Sequence, residues 1–309
     1  MNTPVAFLIF NRPALTERVF ERICEARPPR LLVVADGPRT SHPDDAEKCK
    51  LAREIVDTGV DWPCEVLRNY SPINLGCRRR VASGLAWVFE NVDEAIILED
   101  DCLPDPTFFR YCEELLEKYR NDERIMVISG CKLFREEKVR RESYFFVRYP
   151  FIWGWASWRR AWKYYDVEMR LWPRAKQMGW IESILKDKRW IRELCAAFDK
   201  THSGRLDTWD SQLAFACLLQ SGLCTSPAHN LVSNIGFGGD ATHTPASGPT
   251  AQLETLPMDF PLLHPSVMFA DDQAEAAALV AIKAKPSLRQ RLKAKLSLSH
   301  LRRFTNKQT

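Results

Sequence analysis

Three consecutive carboxylates, Glu99-Asp100-Asp101, follow directly on the apolar run Ala95-Ile96-Ile97-Leu98. Like charges at adjacent positions repel one another, and the arrangement is costly unless solvent or a cation relieves it. A hard divalent cation such as Mg²⁺ or Mn²⁺ takes oxygen ligands and keeps positions open for phosphate oxygens. A solvated acidic turn is the plain alternative. The apolar strand before the run and the helix led by Pro106 after it argue for a ligand site instead. Other polar groups stand in the same kind of place. Asn11-Arg12 ends the apolar run 5–10, and Arg12 is a candidate two-pronged donor to a phosphate. Asp36-Gly37 ends the run 31–35, where a simple turn would also account for it. Arg78, Arg79 and Arg80 open a helix, whose first backbone N–H groups favour anions; Arg79 is the candidate phosphate contact. His243 closes the glycine-rich stretch Gly236-Phe237-Gly238-Gly239. A histidine there suits a metal or a departing phosphate, on a loop able to close over a ligand. Trp153, Trp155 and Trp158 could stack on sugar faces or build core, and Trp153 is the preferred sugar contact.

These groups need a scaffold that brings strand ends together. Residues 5–10, 31–35, 65–68, 95–98 and 125–128 read as strands, and 14–25, 48–58, 79–90 and 106–119 as helices. Such alternation implies an α/β fold with a mainly parallel twisted sheet flanked by helices. Ligands of these sheets bind beyond the carboxyl ends of the strands, where Asn11-Arg12, Asp36-Gly37 and Glu99-Asp100-Asp101 all fall. Further along, helices are expected over 180–198 and 207–220, and a short strand over 230–233. No internal repeat is visible. Leucines at 288, 292 and 296 among basic residues suit a basic amphipathic helix.

The chain as a whole sets bounds. Its 309 residues carry a net charge of only +4, which argues against a dedicated nucleic-acid binder. From Lys283 onward there are nine Lys/Arg and no acidic residue. The run 5–10 is too short for a signal-peptide core or a membrane span. A cytoplasmic protein is expected, with the basic tail resting on the inner face of a membrane. The ten cysteines show no paired or zinc-like spacing and read as reduced, mostly buried thiols.

The stretch Asn74-Leu75-Gly76, the helix through Trp87-Val88-Phe89-Glu90, and Ile96 to Asp101 with Phe108-Phe109 beyond resemble the nucleotide-diphospho-sugar transferase superfamily. The nearest resemblance is to the N-acetylglucosaminyltransferase I family and its bacterial homologues. Tyr149-Pro150-Phe151-Ile152-Trp153-Gly154-Trp155 is similar to that family's Gly-Trp segment, Trp172-Pro173 to its later Trp-Pro, and Trp209-Asp210 to the helix start bearing its base. The stretch from Asn234 to His243 is similar to its donor loop. The resemblance covers about residues 4–245. It implies a GT-A-like fold over residues 1–265, followed by a basic extension, 266–309, partly helical or disordered. It implies an inverting glycosyltransferase that uses a UDP-sugar and Mn²⁺ or Mg²⁺. The acceptor would be a glycan or lipid-linked glycan of cell-envelope polysaccharide synthesis. By the same resemblance Asp101 is the metal ligand, Glu99 and Asp100 contact the nucleotide sugar, Asp36 meets the nucleobase, and Gly154 and Trp155 join Trp153. The family's Trp-Asp-Asp is Trp209-Asp210-Ser211 here, so the base is Asp210 or, one turn earlier, Asp207. Two rival readings are a sugar-1-phosphate nucleotidyltransferase and a non-catalytic interaction protein. The first normally has a glycine-rich loop after the first strand, and Phe10-Asn11-Arg12-Pro13 has no glycine.

Overall fold

A computed structural model of the chain describes residues 1–134, 140–237, 250 and 253–283. The apolar runs are strands: β1 (Val5–Ile9), β2 (Arg30–Ala35), β3 (Glu65–Tyr70) and β4 (Glu94–Glu99) lie parallel in the spatial order β3-β2-β1-β4. The connections are α1 (Pro13–Ala26), α2 (Asp45–Gly59) and α3 (Gly76–Asn91). Side chains alternate across a strand, and both faces of this sheet are covered. Val5, Phe7 and Ile9 pack with Val19, Phe20 and Ile23 of α1 and with Ala52 and Val56 of α2. Ala6 and Leu8 pack with Val81, Leu85 and Val88 of α3 on the other face. An unbroken apolar run follows from that double burial. Each such large side chain contributes about 1.5–3 kcal/mol of transfer free energy.

After β4 come β5 (Cys102–Pro104), α4 (Thr107–Lys118) and β6 (Ile125–Ser129), then β7 (Tyr144–Val147), β8 (Trp155–Trp158) and β9 (Leu223–Pro227). The eight-stranded sheet runs β3-β2-β1-β4-β8-β6-β9-β7. Only β8 and β7 run against the others. The protein is thus a mixed α/β structure on a mostly parallel sheet. β10 (Val232–Asn234) pairs antiparallel with β5 to form a separate ribbon beside the end of β4.

Between β8 and β9 lie α5 (Arg159–Trp162), α6 (Trp172–Gln177), α7 (Trp180–Ile184), α8 (Lys188–His202) and α9 (Asp210–Leu219). Trp172, Trp190, Phe198 and Phe215 bind α6, α8 and α9 into a third apolar cluster. The single helix expected over 180–198 is two helices. Asp187 accepts the N–H groups of Arg189 and Trp190 and so starts α8 afresh. The helix expected from 207 begins at Asp210, because Asp207 turns its carboxylate to another helix. Strands β7, β8 and β9 had no expectation.

α10 (Asp272–Lys283) lies within the expected extension, 266–309. Its Ala274 and Ala278 are buried and belong to the same apolar cluster as the α3 face, and α10 packs on β7. Its Glu275 is buried and accepts from the Arg148 guanidinium at 2.8 Å. The amphipathic helix expected from Leu288 lies outside the described residues. All ten cysteines are free thiols. No helix among the described residues is long and apolar enough to cross a membrane.

Candidate functional site

The carboxyl ends of β1, β2 and β4 open into one cleft of about 340 Å³. That volume suits a small-molecule ligand, and the position is the one that parallel sheets use for binding.

One wall is built by β1 and β4. The Arg12 carbonyl accepts the N–H groups of Leu15 and Thr16, so its backbone is held at the start of α1. Its side chain reaches across the end of β4. Nη1 donates to Asp101 Oδ2 at 2.9 Å, and Nη2 donates to Asp100 Oδ1. The other Asp100 oxygen accepts the Phe10 N–H at 3.1 Å, so this buried carboxylate has both oxygens engaged inside the protein. Burial pulls the Arg12 pKa down, but the charges of Asp100, Asp101 and Glu99 outweigh it and raise it above the ordinary guanidinium value. Glu99 makes no hydrogen bond or ion pair among the described residues. Burial, then the charges of Asp101 and Asp100, push its pKa up to about 8. The wall therefore carries negative charge that Arg12 only partly balances.

The opposite wall is the N-terminus of α3, and here the carboxylates are spent. Gly76 starts the helix at φ +79°, a conformation that favours glycine. Asp36 accepts N–H groups from Gly37 (2.8 Å), Leu75 (2.9 Å) and Gly76 (3.1 Å), and the Asn74 side-chain amide at 3.1 Å. Asp207 accepts the N–H groups of Cys77 at 3.2 Å and Arg78 at 3.1 Å. Two side chains from distant segments thus satisfy the donors that a helix start leaves open.

Several expectations are corrected by this arrangement. The helix start read as a phosphate site is already capped by the protein's own carboxylates. Asp36 lines the cleft, but its oxygens are filled, so it is not the free acceptor a nucleobase contact requires. Asp207 is a helix cap. Arg79 is exposed and off the cleft. Arg80 lines the cleft instead, buried, with Nη2 donating to Asn69 Oδ1 at 2.9 Å. Arg78 is tied to the Val167 carbonyl and Glu168. Asn11 donates to Asp45 at 2.7 Å and steadies the start of α2. The hydrogen bond from Arg39, above all, pushes Asp45 down to about 2. Gly37 packs against the Ile73 backbone rather than facing the cleft. Trp155 is buried and stacks on Trp209 with centroids 5.7 Å apart, so it is core. Gly154 is wedged beside Val232, and its carbonyl accepts the Gly130 N–H.

Other expected residues do come together. Arg12, Glu99, Asp100, Asp101, Trp153 and Asp210 all line the cleft. Asp210 is the first residue of α9. Its Oδ1 accepts the Thr208 hydroxyl and the Ser211 N–H, and Oδ2 makes no hydrogen bond among the described residues. It lies within electrostatic reach of Glu99. Trp153 meets Phe237 edge to face at 5.8 Å. His243, with Gly238 and Gly239, lies outside the described residues. The sequence reading missed Phe10, Arg39, Cys77 and Thr208, which also line the cleft. Arg39 sits over the Phe10 ring at 5.4 Å. Position was the only available signal for these four, since each lies within four residues of a strand end or helix start already in view. The Cys77 thiol is held protonated, by burial first and then by the charges of Glu99, Asp207 and Asp210.

Among the described residues no three His, Cys, Asp or Glu side chains cluster as a complete metal cage. Mg²⁺ and Mn²⁺ sites shared with phosphate demand less, taking one or two protein carboxylates. Glu99, which has no hydrogen-bond partner among the described residues, and Asp101, at 15% side-chain exposure, are the residues that could hold such a cation. The charge that Arg12 leaves unbalanced is what a cation would relieve.

No protein-family model and no curated protein sequence matches the chain. Solved structures similar to it include a ligand-free UDP-glucose pyrophosphorylase, with TM-score 0.39 and 11% identity, covering 76% of this chain and 93% of that one. A UTP-bound UGPase from Acinetobacter baumannii has TM-score 0.37 and 12% identity over 74% of this chain and 86% of that one. A 4-diphosphocytidyl-2C-methyl-D-erythritol synthase from Anaerococcus prevotii has TM-score 0.34 and 8% identity over 69% and 83%. At this level the likeness is to the course of the chain alone.

Proposed function

We propose that the cleft binds a nucleotide sugar, a UDP-sugar foremost, and that the protein is a GT-A-type inverting glycosyltransferase. The observation that carries this reading is the half-free carboxylate of Asp210. It is held through one oxygen by Thr208 and Ser211, open at the other among the described residues, and set in the same cleft as Glu99 and Trp153. An inverting transfer needs one carboxylate to take the acceptor hydroxyl's proton as that oxygen attacks the anomeric carbon. The open oxygen of Asp210 supports that role for it, and the engagement of both Asp207 oxygens at α3 speaks for Asp210 over Asp207. Arg12 supplies positive charge toward the diphosphate, and Trp153 offers a face to the sugar. A divalent cation, Mn²⁺ or Mg²⁺, held by Asp101 beside Glu99 would offset the charge growing on the departing diphosphate. The same reading extends to a glycan or lipid-linked glycan acceptor, with the basic tail against an anionic membrane surface.

Nucleotidyl transfer onto a sugar 1-phosphate is the second reading, and the names of the similar solved structures fit it better than the first. Against it stands the segment after β1, which has no glycine. Product analysis separates the two. Incubation with UDP-sugars and an acceptor mixture should release UDP. Incubation with UTP and glucose 1-phosphate should release no pyrophosphate. The reverse result replaces the first reading with the second, and no binding of any nucleotide or nucleotide sugar in a thermal-shift panel overturns both. In calorimetry, Asp101→Ala should abolish metal-dependent UDP-sugar binding.

A further inference from the structure

Asp101 is already in use. Its Oδ2 accepts from Arg12 Nη1 at 2.9 Å, and its Oδ1 is approached by the Cys102 thiol at 3.6 Å. The packing keeps it so. Gly236 lies directly over the pair, and a Cβ there would collide with Asp101 Oδ2 and stand 2.9 Å from Arg12 Nη1. The Ile235 N–H donates to the Asp101 carbonyl at 2.8 Å, which holds Gly236 in place. The Arg12 backbone cannot follow its side chain, because its carbonyl caps the first turn of α1.

We infer that Arg12 is a resident counter-cation of Asp101 that couples metal binding to nucleotide binding. The inference rests on the metal and nucleotide reading above. A cation arriving alone must displace a guanidinium from Asp101. A diphosphate arriving alone meets a wall in which one guanidinium is already paired with the two carboxylates of Asp100 and Asp101. When both arrive, the diphosphate offers the guanidinium a second planar anion to pair with, and Asp101 is released to the cation. Each ligand alone therefore binds weakly, and each strengthens the other by the same factor, as linkage requires. The chemistry that triggers the exchange is a nucleoside diphosphate, with the cation as its co-ligand. Arg12 acts here as a positioning residue.

The test measures free Mn²⁺ by electron paramagnetic resonance during titration of the full chain, with and without UDP. In the unmodified protein, UDP should tighten Mn²⁺ binding by roughly tenfold or more, within the usual range of coupling between sites. Arg12→Met keeps the side-chain length and removes the charge. It should bind Mn²⁺ without UDP about fivefold or more tighter than the unmodified protein, with a correspondingly smaller effect of UDP. Arg12→Lys should keep the weak nucleotide-free binding. Thermal unfolding of both variants checks that the fold is intact, and Arg12→Lys carries the comparison if Arg12→Met does not fold. In that case Mn²⁺ binding to Arg12→Lys as tight without UDP as with it overturns the inference. Nucleotide-free Mn²⁺ binding by Arg12→Met that is no tighter than in the unmodified protein also overturns it, while leaving the proposed function standing. Failure of all forms to bind Mn²⁺ even with UDP overturns the metal reading and the inference together.

Discussion

The two walls of the cleft are both lined with carboxylates, yet they do opposite things. On the α3 wall, Asp36 and Asp207 receive six hydrogen bonds between them, five from backbone N–H groups. On the facing side, Glu99 has no partner and Asp210 keeps one oxygen open among the described residues. A buried carboxylate whose lone pairs are filled by amides is a structural acceptor. One left with an open oxygen in a cleft is available to a ligand, a proton or a cation. The difference lies in the donors around each residue and not in its type.

Substitution can break that contrast. The largest effect is expected for Asp210→Asn, which should lower the transfer rate by about 10²- to 10⁴-fold. Nucleotide-sugar affinity measured by calorimetry should hardly change, and an unaffected rate would return Asp210 to the structural side. Asp36→Ala comes next. It strands several donors at the start of α3 and should cost about 3 kcal/mol in chemical denaturation. Asp207→Ala removes two of the backbone contacts and should cost about 1–2 kcal/mol, while the pH profile of the residual transfer stays where it was. A profile that moved would make Asp207 a proton carrier after all.

Glu99 sharpens the contrast through pH. Its folded-state pKa, about 8, lies above its unfolded value. Between roughly pH 4.5 and 8 the native state therefore binds the extra proton, and stability falls as pH rises through that window. Glu99→Gln should flatten this slope. The gain should be a few kcal/mol above pH 8 in the metal-free protein and vanish below about pH 4.5. Unfolding midpoints across pH 4 to 9 measure it, and an unchanged slope would show that other groups set the pH dependence.

Much of this molecule was written locally. The runs at β1, β2 and β4 are buried on both faces, so their apolar character needs no partner to be recognised. The place of Arg12 and of Glu99-Asp100-Asp101 follows from standing at the ends of those runs. Asp210 was in view as the carboxylate after Trp209. What only the tertiary structure decided is which polar groups are already satisfied. Asp36 is capped by residues about forty positions on, and Asp207 by a turn some 130 positions back. Trp155 belongs to the core because Trp209 stacks on it, and Arg80 reaches the cleft where Arg79 does not. Apolar burial leaves a periodic trace along the chain. Hydrogen-bond satisfaction leaves none, because its partners are brought together only when the chain has folded.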